Sequence, residues 1–124
     1  MAADQTFPIR YGALRPLLTV LGTGPGLSGV VIGADTLSVR MGWAFRAEIP
    51  LTSITDARLD DRGVGGIGVH GWRGRWLVNG SASGLVAITV DPPARAWTIG
   101  FPIRLRLLRV SLEDPEAFVA AIKR

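Results

Sequence analysis

Glycine or proline interrupts this chain so often that a long helix has almost nowhere to form. Sixteen glycines and eight prolines divide 124 residues into short alternating or β-branched runs, the pattern of strands joined by turns. Val30 to Ile32 leads through Gly33-Ala34-Asp35 into Thr36 to Met41, and after Gly42-Trp43 the chain resumes as Ala44 to Ile49. These are two consecutive hairpins. Pro50 ends the last of those strands, and Ile54 to Leu59, Arg75 to Asn79 and Leu85 to Val90 follow as further strands. Asn79-Gly80 and Ser81 to Gly84 supply turn chemistry between the last two. Thr98 to Leu112 is the longest run. Along it Arg104 and Arg106 share one face against Ile103, Leu105 and Leu107, while Leu108 and Arg109 fall out of phase. A bulge near Leu107-Leu108 repairs the alternation.

A helix is predicted at the C-terminal end, over 113–123. Asp114 is a good N-cap, Pro115 takes the first helical position, and Glu116 meets the positive end of the dipole. Phe118, Val119 and Ile122 then form an apolar stripe that lies on the sheet. The opening residues 1–29 read as an extension or an extra strand: Phe7 to Leu14 suits a strand, and Leu17 to Leu21 suits a strand or a helical turn equally.

Composition bounds the rest. With 48% hydrophobic and 19% charged residues, the chain folds, as one domain spanning 1–124. It has no cysteine, which excludes disulfides, thiolate metal sites and cysteine nucleophiles. The net charge is +4, arginine throughout except for Lys123, a mild excess compatible with an anionic partner. MAADQTFPIR shows no secretory signal pattern, so the expected location is the cytoplasm. Pro16 to Ala34 is uncharged, but Pro25 and five glycines interrupt it, so no transmembrane segment is expected.

Two stretches, "LSVRMGWAFRAEIPLTSITDAR" (Leu37 to Arg58) and "VSLEDPEAFVAAI" (Val110 to Ile122), resemble the bacterial pleckstrin-homology-like (PH-like) domains. The resemblance covers the chain from about Val30 onward. It implies a mainly β (α+β) fold, a strongly bent antiparallel sheet or barrel of about seven strands capped by one C-terminal helix. It also implies a binding or self-assembly module, with no catalytic residue to carry over. Lipid-binding members of the wider superfamily cluster lysines and arginines between the first two strands. Here Gly33-Ala34-Asp35-Thr36 stands there with only Arg40 nearby, which argues against inositide binding at that loop.

The segment "GVGGIGVHGWRGRWLVNGSASG" (Gly63 to Gly84) concentrates the remaining chemistry. Gly63, Gly65 and Gly68 spell a formal G-x-G-x-x-G, with Asp91 further on, but no helix follows to receive a pyrophosphate, so no nucleotide cofactor is expected. Ala82 stands where a nucleophile elbow needs serine. His70, Ser81 or Ser83 and Asp91 make a triad only on paper, and a lone histidine is a poor metal site. His70, Trp72, Arg73 and Arg75 remain as candidate ligand- or partner-binding residues. In the plainer reading Trp76 and Val78 enter the core, Trp72 covers a glycine-rich loop, and the arginines are solvated. The expectation is a non-enzymatic module for protein–protein interaction or self-association. A small anionic ligand or lipid headgroup at the Gly63–Arg75 loop is the alternative, a hydrolase-like enzyme the third reading, and nucleic acid is disfavoured.

Overall fold

The computed structural model describes residues 5–12, 15–22, 24, 28–60, 68–81 and 83–123. Nine strands form one sheet: β1 (Gln5–Phe7), β2 (Ser28–Ile32), β3 (Thr36–Met41), β4 (Phe45–Pro50), β5 (Ile54–Leu59), β6 (Gly68–Trp72), β7 (Arg75–Asn79), β8 (Leu85–Thr98) and β9 (Phe101–Ser111). Two helices, α1 (Arg15–Val20) and α2 (Pro115–Ile122), complete it. The strands follow the order β1-β2-β3-β4-β8-β9-β7-β6, with β5 also on β8. All pairings are antiparallel except β7 with β9, so the strongly curled sheet is a mixed half-barrel rather than wholly antiparallel. The two strands beyond the expected seven are β1 and β6. β6 corrects the reading of Gly63–Gly74 as a loop, since Gly68 to Trp72 is a strand paired with β7; residues 61–67 lie outside the described set.

β8 is the beam of the fold. It runs past Val90, its expected end, and on through Pro92 and Pro93, with a register shift between Thr89 and Ala94 where it bends. Before the bend its outer edge holds β5, and beyond it β4. A bulge in β9 appears one residue ahead of its expected place: the N–H groups of Arg106 and Leu107 both donate to the Gly74 carbonyl, at 2.7 and 3.1 Å. That doubling lets Leu105, Leu108 and Val110 all face inward, fully buried.

Phe45, Ile49, Ile88, Leu105 and Leu108 fill the inside of the curl. α2 packs on β5 and β8, its start fixed by the Asp114 carboxylate accepting from the Ala117 N–H at 3.2 Å, and Phe118 enters the core with no exposed surface. The segment after β1 then laces the curl. Ile9 bridges Leu112 and Tyr11 bridges Gly80, while the Arg10 guanidinium donates to the Leu112 and Glu113 carbonyls and the Ser83 hydroxyl. Leu17 to Leu21 resolves as the helix α1 and its closing turn.

The β6–β7 and β8–β9 hairpins close through two residues with positive φ, Arg73-Gly74 (54° and 84°) and Ile99-Gly100 (50° and 81°). This is the pattern of type I′ turns, which favour Asn-Gly. A β-branched side chain at the first position is strained. Ile99→Asn is therefore expected to stabilise the protein by about 1 kcal/mol, seen as a higher Tm; an unchanged or lower Tm refutes the strain.

Candidate functional site

Type I′ geometry aims the β6–β7 hairpin tip, with Arg73 and Arg75 exposed, along the neighbouring strand β9. His70 and Trp72 have their backbones on β6, opposite Leu77 and Arg75; their side chains lie outside the described set. Trp76 stands opposite Gly71, where an added Cβ would lie 2.2 Å from its indole. Only glycine leaves room for that ring, which is half-buried against the core with its Nε1 finding no acceptor among the described residues. Val78 is fully buried, so of this pair Val78 lies in the core and Trp76 packs against it from a partly exposed position.

The parallel pairing sets Arg75 opposite Leu107 and brings the hairpin tip beside two residues remote in sequence. Arg73, Arg75 and Trp76 share a groove with Arg104 and Arg106. Through Ile103 and Arg104 the groove continues into a second depression lined by Pro93, Arg95, Trp97 and Pro102. Arg46 extends the surface, its guanidinium carbon 4.7 Å from the Trp97 ring centroid, a cation–π contact that holds a long cation in place. Arg40 stands opposite Arg46 on β3.

Among the described residues no carboxylate lines either groove. Among the described residues Arg75, Arg95, Arg104 and Arg106 have no ion pair, whereas four acidic side chains are engaged elsewhere. Asp60 pairs with Arg109 in a nearly buried contact, Asp56 with Arg58, Glu48 accepts from Ser38, and Asp114 caps α2. Uncompensated guanidinium groups on one face create a positive field that attracts anions. Sequence reasoning found Arg73 and Arg75 and noted the Arg104–Arg106 stripe, but missed Arg46, Arg95 and Trp97; the alternation of Arg95 and Trp97 past Pro92-Pro93 was their only signal.

The remaining sequence candidates separate. Gly63 and Gly65 lie outside the described residues, and Gly68 opens a strand, where no helix N-terminus is available. Ser81 and Ser83 hydrogen-bond each other at 3.2 Å, while Asp91 sits at the bend of β8. Among the described residues no three His, Cys, Asp or Glu side chains converge on a metal position. No helix among them is long and apolar enough to cross a membrane.

Fold and face together define a curled mixed β half-barrel, a helix packed on it, and an arginine surface whose two grooves have no carboxylate among the described residues, with Glu48 beside Arg40 and Arg46 at its margin. No family model, no curated protein and no solved structure matches the chain.

Proposed function

We propose that the chain is a non-catalytic binding module of PH-like architecture that holds an anionic partner on its arginine face. One observation carries this reading: Arg75, Arg95, Arg104 and Arg106 line two adjoining grooves that hold no carboxylate among the described residues. Arginine suits the task because its planar fork of donors matches carboxylate and phosphate oxygens. The curled sheet with a C-terminal helix supports the PH-like assignment; the parallel β7–β9 pair is a departure from the expected pattern. A non-catalytic role is supported by the carboxylates, four of which already cap a helix, pair with arginine or accept from serine.

Labelled polyglutamate tests the reading by fluorescence anisotropy. The native chain is expected to bind it, with affinity falling as salt rises. Arg75→Glu/Arg104→Glu/Arg106→Glu should weaken binding by roughly tenfold or more at an unchanged Tm, since exposed charges contribute little to stability. Equal affinity of the triple variant and the native chain overturns it.

Self-association is a second reading, favoured by one observation: β6 ends the strand path and is paired on one side only among the described residues, the arrangement that allows strand addition. Light scattering at high concentration decides it, a strict monomer ruling it out.

A further inference from the structure

Among the described residues seven large apolar side chains are exposed, and six of them, Leu17, Val20, Leu21, Trp43, Ile99 and Phe101, belong to segments that meet at one end of the half-barrel. Three segments meet there. The Ile99 N–H donates to the Ala44 carbonyl at 2.9 Å, joining the β8–β9 turn to the β3–β4 turn. Trp43 Nε1 donates to the Leu21 carbonyl at 2.7 Å, joining that turn to the end of α1. Exposure is large: Val20 84%, Phe101 71%, Trp43 61%, Ile99 59%. Large apolar side chains exposed on adjoining segments in this way point to a docking site.

The charge around this end selects what docks. Residues 15–22, 40–47 and 94–106 contain no Asp or Glu, while Arg46, Arg95 and Arg104 are exposed on the outer face just behind the tips. Trp97 is level with Arg46 and Pro102. Arg95 and Arg104 oppose each other two residues further back, roughly 14 Å from the Ile99 turn at strand rise. An apolar tip that enters a bilayer by about 5–10 Å therefore brings these guanidinium groups to the depth of the lipid phosphates. A second copy docking end to end would set the same arginines against one another, and a free phosphate has no use for the apolar tips. Ile99 adds its own argument, because it keeps an apolar side chain where the backbone favours asparagine.

We propose that this end of the half-barrel docks onto an anionic lipid surface, with Trp43, Ile99 and Phe101 in the headgroup–acyl boundary and Arg46, Arg95 and Arg104 on the lipid phosphates. The inference rests on the arginine face being anion-binding, and it names the source of the anion.

Co-sedimentation with vesicles of phosphatidylcholine, alone or mixed with phosphatidylglycerol, tests it. The native chain should sediment with the mixed vesicles only. Ile99→Asn/Phe101→Ser should lose roughly tenfold or more of that partitioning at a Tm no lower than that of the native chain and with its affinity for polyglutamate unchanged. Arg95→Glu/Arg104→Glu should lose roughly fivefold per arginine on vesicles and weaken on polyglutamate too. Unchanged partitioning of the tip variant, or binding of glycerol phosphate as tight as that of vesicles, overturns the lipid assignment. So does a dimer in light scattering that the tip variant abolishes. Polyglutamate binding without vesicle binding ends this inference and leaves the anion-binding reading standing; loss of both ends both.

Discussion

Replacing Phe118 by alanine is expected to lower stability by about 4 kcal/mol and Tm on the order of 15 °C. The ring has no exposed surface and meets Phe7 edge to face, centroids 5.3 Å apart at 88°. It thus joins α2 to β1, elements from opposite ends of the chain. Truncation removes a buried aromatic and opens a cavity that strands on both sides cannot close. Phe118→Leu keeps most of the volume and should cost about 1.5 kcal/mol. Chemical denaturation measures both, and an alanine variant as stable as the native chain would remove α2 from the core.

A comparable loss, about 3 kcal/mol, is expected for Gly84→Ala. Gly84 has φ +73°, and a Cβ there would lie 2.4 Å from the Leu112 carbonyl oxygen and 2.7 Å from Arg10 Nε. Backbone strain and steric overlap add at the point where the Gly84 carbonyl accepts from the Leu112 N–H at 2.8 Å. Gly100→Ala separates the two effects. Its φ is +81° but nothing lies within 4 Å, so it should cost only about 1 kcal/mol. Thermal melts of the two variants side by side check the difference, and equal losses would exclude the steric part.

Strand positions were readable wherever a β-branched run met clear punctuation. Thr36–Met41, Ile54–Leu59 and Arg75–Asn79 match their expected bounds, and Asp114-Pro115 specified the start of α2 because capping is local chemistry. β6 was not readable, since two glycines in GVHGW weaken any strand signal, and what places it is pairing with β7, where Gly71 admits the Trp76 ring. β8 departs in the other direction, running on to Thr98 past its expected end at Val90. Proline normally ends a strand, but here it sits at a bend where β8 changes neighbours and few ladder bonds are lost.

The candidate site was legible only in its local half. Arg73 and Arg75 flank a two-residue turn and stand out in sequence, yet their neighbours Arg104 and Arg106 arrive through a parallel pairing across some thirty residues. No periodicity announces such a contact. The apolar end is harder still. Trp43, Ile99 and Phe101 each sit beside a turn as single apolar residues, individually unremarkable, and only the closure of the curl collects them.

That closure depends on a lace whose contacts bridge nearly the whole chain: Arg10 reaches Leu112 across 102 residues. Closing so long a loop costs more chain entropy than closing any hairpin of the sheet, so the lace holds only while the strands on both sides of it are in place. The seam formed by residues 5–12 with Gly80, Ser83, Leu112 and Glu113 thereby ties the stability of the opening segment to that of β7, β9 and the start of α2.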